Sequence, residues 1–457
     1  MNHLAGVDYF YAQHSLLKRQ THLSKCMVRS DNDIGIQIHR FAMSLWDFNR
    51  SITGEGVRQT LNEIKNHLPN LKIHSVPSGT SVFDWTVPKE WRVKEAYVVS
   101  PSGERLCDFK VNNLHLVGYS TPFRGKMKLE ELQNHLYSLP DQPNAIPYIT
   151  SYYKERWGFC ISHDQREKLL PGEYEVVVDS ELFDGVLNYG ELIIEGDSKE
   201  EVFLSSYVCH PSMANNELSG PTVVTFLAKW LTDLERRKYS YRIVFIPETI
   251  GSITYLSQNY GEMKENVVAG FNVSCVGDDR AYSFLPSRNG NTISDKVAVH
   301  VLKWLAPNYI NYSWVDRGSD ERQYCAPGID LPIASIMRTK YGQYPEYHTS
   351  LDNLIDIVTP KGLEGGYLAL KHALELIEKN EKLKVSVFCE PQLGKRGLYP
   401  TLSTKTSGAE VQVMMDLISY CDGNHSVLEI AEKINVPSWE LYDLIEKLKN
   451  HDLIVSD

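Results

Sequence analysis

Between residues 186 and 380 the chain alternates strand-length apolar runs with helix-length amphipathic ones, and that alternation admits few folds. Apolar runs at 192–194, 202–208, 242–246, 269–275 and 332–337 read as strands. Helical periodicity follows at 222–236, 252–262, 294–305 and 361–379, the last opened by Pro360 at a first-turn position. The pattern predicts an α/β unit, a mainly parallel sheet sandwiched by helices. Open sheets of this kind gather their chemistry outside the carboxyl ends of the strands.

The flanks differ in texture. Residues 1–72 read as a helical part of the same unit, with apolar residues at helical spacing in 34–46 and 57–68. Residues 73–185 carry short β-type runs at 82–87, 95–99, 113–117 and 174–178, broken by turn residues, and predict an inserted all-β domain. Residues 381–395 read as a linker. Residues 396–457 read as a separate unit, with helices near 409–421, 427–434 and 438–450 and a β end at 453–455, which resembles a winged helix.

Charge and composition narrow the function. The chain has 47 basic and 58 acidic residues, net −11, which opposes non-specific binding to nucleic acid or anionic membrane. Residues 408–457 hold three bases against ten acids, the wrong sign for a DNA-reading module. No apolar run is long enough to span a bilayer, and the first thirty residues lack the core of a signal peptide. The eight scattered cysteines form no CxxC pair and read as reduced cytosolic thiols, so a cytoplasmic location is expected.

Histidines and acids recur where the expected strands end. They are His210 with Glu217, Glu248, Asp278 beside Asp279, and His348. Imidazole and carboxylate are zinc ligands when thiolates are absent, and a further carboxylate can take a proton from a metal-bound water. Each residue has a plain structural alternative: a satisfied histidine, a turn cap, an ordinary Asp-Asp turn, a surface histidine. Their shared placement at strand ends is what groups them. Cys209 precedes His210, and strand alternation would point it to the opposite face. The segment 147–160, with Tyr148, Tyr152, Tyr153 and Trp157 around charged residues, reads either as a ligand cleft or as core and interface.

These residues carry a resemblance. The segment 203–231 is similar to the core of the zinc aminopeptidase clan that includes bacterial leucyl aminopeptidases and glutaminyl cyclases. The whole chain resembles a bacterial aminopeptidase-like family associated with polysaccharide biosynthesis. The stretches that carry this are Asn49–Gly56, the turn 209–221, the tyrosine-rich segment, Gly318–Arg322 and 347–353. The resemblance implies a zinc-exopeptidase-like fold with an inserted β domain and a C-terminal winged helix. It implies metal ligands His210 and His348 with an acid, Glu217 or Asp278, and Glu248 as general base. Asp320, Arg322, Tyr152 and Tyr153 are expected around the substrate. Asn216 stands where the clan has a bridging Asp, and Thr249 where it has a second Glu, so one zinc is implied more readily than two.

Two readings of different class follow. One is a zinc-dependent, aminopeptidase-like hydrolase acting on an amide bond of a peptide or an aminoacylated small molecule or sugar. The other is a catalytically degenerate metal- or ligand-binding protein. A DNA-binding regulator is disfavoured by the acidic tail. The expected partner is a small-molecule or peptide substrate, with no membrane; homo-oligomerisation is left open.

Overall fold

The computed structural model describes residues 33–398 and 405–456. The expectation for the first 32 residues lies outside them. Helix α1 (Ile34–Leu45) begins where the Asp33 carboxylate accepts from the Gly35 amide at 3.0 Å. Helix α2 (Glu55–His67) follows a tight loop. The close approach of that loop requires Gly56: a Cβ there would stand 2.0 Å from the Asn49 carbonyl oxygen.

The central sheet has eight strands: β1 (Lys72–Pro77), β2 (Val186–Ile194), β3 (Glu201–Tyr207), β4 (Ser240–Ile246), β5 (Val267–Asn272), β6 (Ser283–Leu285), β7 (Ile310–Asn311) and β8 (Ile333–Met337). Their order is β1-β2-β4-β3-β5-β8-β6-β7. The central run β4-β3-β5-β8 is parallel, as expected from strands buried along their whole length. β1, β2 and β6 join antiparallel, so the sheet is mixed at its edges. β1, β6 and β7 were too short or too polar to read in the sequence.

Helix α3 (Ser219–Asp233) carries the chain from β3 to β4 on one side. Helix α4 (Ile250–Asn266) carries it from β4 across β3 to β5 on the other. The direction of winding therefore reverses at β3, and a crevice opens beyond its carboxyl end. One face of the sheet packs against α1, α2, α3, α5 (Ile293–Leu305) and α6 (Pro360–Lys379), through residues such as Phe41, Leu61, Leu227, Val301 and Leu370. The other face packs against α4 and the inserted β domain.

That domain is built on a four-stranded antiparallel sheet whose long strands are Glu90–Val99 and Glu173–Phe183, with Phe123–Lys128 on the outer side. Two expectations fail in it. The run at 113–117 is a single 3₁₀ turn, because the Asn112 side chain accepts from the Leu114 amide and curls the chain. The run at 82–87 is a two-rung hairpin.

The expected linker is also corrected. Lys382–Val385 is the middle strand of a three-stranded sheet with Asp422–Ser426 and Ile454–Ser456, so the tail unit begins near 381. Four residues of alternating Lys and aliphatic side chain are too few to show a period. The unit is not free of the core. The buried His300 of α5 accepts from the Ser438 amide through Nε2 at 3.0 Å and hydrogen-bonds Glu432 through Nδ1, while Trp439 lies 4.4 Å from the His372 ring. Among the described residues no helix is long and apolar enough to cross a membrane.

His300→Ala leaves the Ser438 amide and Glu432 without their shared partner. It is expected to destabilise the docked tail by about 2 kcal/mol, read as a lower urea midpoint for Trp fluorescence. An unchanged midpoint would show that the ring does not hold the interface.

Candidate active site

The chain leaves β3 at Tyr207 and turns sharply, with Ser212 at φ 45°. A π-helical turn, Ala214–Leu218, then feeds α3. This turn is tied down on two sides. Asp352 accepts from the Asn215 and Asn216 amides at 2.7 and 3.0 Å and from the Tyr344 hydroxyl. Asn215 in turn accepts from the Gly277 amide through its side chain. The result fixes Glu217 so that its Oε2 lies 2.8 Å from His210 Nδ1. The other ring nitrogen, Nε2, faces Glu248 Oε2 at 3.6 Å.

Glu248 comes from the end of β4. Its neighbour Thr249 holds φ +64°, a strained conformation for a β-branched residue. The strain is held by Asp320, whose Oδ1 accepts from the Thr249 amide at 2.7 Å and from the Ser252 hydroxyl, and by Arg322, which donates to the Thr249 hydroxyl. Burial and the neighbouring Asp320 push the Glu248 carboxyl up to about 8. A carboxyl in that range can take up or release a proton near neutral pH.

His348 enters from the loop before α6, also at positive φ. Its ring stands 5.6 Å from that of His210 and stacks on Tyr347. The β domain reaches in between. Pro147 pairs with Thr349, and the Ser350 amide donates to the Ile146 carbonyl. Tyr148 is thereby set edge-on to both histidines, at 5.3 and 5.2 Å. Burial pushes both imidazoles down to about 3, so they are neutral, the form that binds metal.

The structure sorts the expected residues. His210, Glu248, Tyr152 and Tyr153 line one cleft of about 130 Å³, with Trp85 and Ile52. His348 lies beside His210. Asp320 is fully buried and is not on the cleft wall; with Arg322 it positions the Glu248–Thr249 turn. One expected ligand is corrected. Asp278 spends both carboxylate oxygens on the Thr339 amide and hydroxyl, a structural tie between loops. Glu217 sits on the Nδ1 side of His210, away from the ring edge that faces Glu248, and orients the ring.

Cys209 is corrected as well. It lies beyond the last paired residue of β3, where alternation no longer applies, and its Sγ is 3.5 Å from His210 Nδ1. Sequence reasoning assigned no role to Arg50 or Asp352. Each lay inside a quoted segment, but nothing in a segment's composition says which residue turns inward.

A two-ion centre does not fit these residues. Asn216, where the resemblance expects a bridging carboxylate, is an amide whose side-chain oxygen accepts from Tyr207. One ion fits better. The His210 and His348 rings stand 5.6 Å apart, near enough for both imidazoles to reach a single ion. Among the described residues, the tightest donor cluster is a different one, Cys209, His210 and Glu217.

Comparisons agree with this architecture. Residues 39–380 match a family described as a domain of unknown function (DUF4910), and residues 381–456 match a winged helix-turn-helix family. A Clostridium acetobutylicum protein, provisionally named a polysaccharide biosynthesis protein with aminopeptidase-like domain, is 44% identical over 89% of this chain and 93% of its own. A crystal structure from the same organism, provisionally named a peptidase, has TM-score 0.87 at 42% identity, covering 93% of this chain and 96% of that one. The zinc aminopeptidase of Bacillus subtilis has TM-score 0.56 at 12% identity, covering 76% and 96%, a likeness of fold.

Asp352→Ala should release the turn that carries Glu217. A loss of about 3 kcal/mol is expected from two amide bonds to a buried carboxylate, measured by urea unfolding. A loss under about 0.5 kcal/mol would mean that the turn holds itself.

Proposed function

Because the chain belongs to the DUF4910 family and has an aminopeptidase-like fold, we propose that it is a zinc-dependent hydrolase of an amide bond at a free amino end. The observation that carries this reading is Glu248 facing His210 Nε2 at 3.6 Å in a cleft with a second, neutral histidine beside it. His210, through Nε2, and His348 would hold a single zinc, which when bound acidifies water and polarises a carbonyl. Glu248 would accept the proton of the attacking water and return it to the leaving amine. The small cleft suits one amino-acid residue or an aminoacyl group, and Tyr152, Tyr153 and Trp85 would wall it.

The substrate class is a short peptide or an aminoacylated small molecule or sugar. Six of the seven described cysteines are buried and all are free thiols, which supports a reducing, cytoplasmic location. The acidic winged-helix unit is proposed as a packing unit without a nucleic-acid partner.

A second reading is favoured by Asn216 and Thr249, which stand where the clan has carboxylates. It is a binding protein that holds its ligand without cleaving it. The two separate on one variant. Glu248→Gln keeps size and hydrogen bonding but takes no proton. For a hydrolase it should retain zinc and lose turnover by roughly two to four orders of magnitude on a panel of aminoacyl amides. His210→Ala and His348→Ala should each lose the zinc. Wild-type protein that binds amides from the panel and cleaves none would establish the binding reading instead.

A further inference from the structure

The tightest donor cluster, Cys209–His210–Glu217, contains the atoms of a zinc site, yet a cation already faces it. Arg50 lies in the loop between α1 and α2, with its side chain fully buried and its Nε 3.6 Å from Glu217 Oε1. The same Nε donates to the His210 carbonyl at 2.9 Å, and Nη1 donates to the Leu45 carbonyl at 2.6 Å. Nη2 and Glu217 Oε1 have no hydrogen-bond partner. Guanidinium stays protonated under all ordinary conditions, and a buried charge needs a counter-charge. Glu217 is the acidic group that faces it, at 3.6 Å.

We propose that Arg50 is a built-in cation that closes the Cys209–His210–Glu217 cluster to metal and, by facing Glu217 where it meets His210 Nδ1, leaves Nε2 as the nitrogen for a ligand in the cleft. This rests on the single-zinc reading for what binds at Nε2, and goes beyond it in assigning the charge on the other side of the ring. A divalent ion at the cluster would bring two positive charges against the guanidinium in a dry interior, where they are poorly screened. The loop is built to keep Arg50 there: Gly56 lets α2 close on Asn49, and the Arg50 amide donates to the Phe48 carbonyl. The motif Asn49–Gly56 thereby gains a task that the hydrolase mechanism alone does not give it. Arg50 is a positioning residue, since it touches Glu217 and the His210 backbone and does not line the cleft that holds Glu248.

Cobalt(II) tests this, because a cysteine thiolate on cobalt gives a charge-transfer band that imidazole and carboxylate ligands do not. Purified full-length protein is titrated with cobalt, and bound metal is counted by elemental analysis. The wild type is expected to show no thiolate band, whatever its metal content at Nε2. Arg50→Met, which keeps the volume and removes the charge, is expected to gain about one equivalent of cobalt with a strong thiolate band, and Arg50→Met with Cys209→Ser to lose that band. Arg50→Lys should restore the wild-type spectrum. A thiolate band in the wild type overturns the proposal, as does Arg50→Met without an added equivalent. A wild type that binds no cobalt at all counts against the single-zinc reading only, since the gain in Arg50→Met is still read against it. If Arg50→Met does not fold, Glu217→Gln carries the test. A lower melting temperature with unchanged metal content supports Glu217 as the counter-charge of Arg50. Lost metal at an unchanged melting temperature makes it a ligand and overturns the proposal.

Discussion

The site depends on one hydrogen bond made out of reach of water, Glu217 Oε2 to His210 Nδ1 at 2.8 Å. It decides which ring nitrogen faces the cleft. Around it a carboxyl is held in a dry interior with a guanidinium facing it. Burial pushes the Glu217 carboxyl up to about 8, and Arg50 offsets only part of that rise. Breaking a buried pair of this kind by removing one partner costs about 3–5 kcal/mol, so the loop of Arg50 and the turn of Glu217 stand or fall together. Asp352 extends the logic, holding the turn from behind with two backbone amides.

The same fold keeps several conformations that free chains avoid. Ser212, Thr249, Cys275 and His348 all have positive φ and all lie just past strand ends or in the loop that meets them. Each such residue stores about 1–3 kcal/mol, and each has surroundings that hold it. For Thr249 these are Asp320, Arg322 and Ser252. The inserted β domain adds the missing wall. By pairing Pro147 with Thr349 it places Tyr148 against both histidines, so the insertion is part of the site and not an ornament on the scaffold.

Much of this was legible in the sequence, and the limits have physical causes. Burial along whole strands made β3, β4, β5 and β8 readable as apolar runs, and the alternation with helices gave the parallel centre. His210, Glu248 and His348 were readable because strand ends converge in such sheets. Asp278 failed because an acid after a strand is as useful to a nearby Thr amide as to a metal. Glu217 was named with His210, but the ring nitrogen it meets was not legible, since a seven-residue spacing through a π-helical turn has no standard geometry. Lys382–Val385 was missed because its partners lie 37 or more residues further on. Arg50 could not be found by any local rule: it is one cation in a polar loop until the fold buries it.

The central claim is that one metal belongs between His210 Nε2 and His348, while the far side of the His210 ring is held by protein charge alone. Anomalous diffraction at the zinc edge from crystals grown with zinc measures this directly. The account predicts one peak per chain, between those two imidazoles. A peak beside Cys209 Sγ and the Glu217 carboxylate, a pair of peaks, or no peak at all would contradict it.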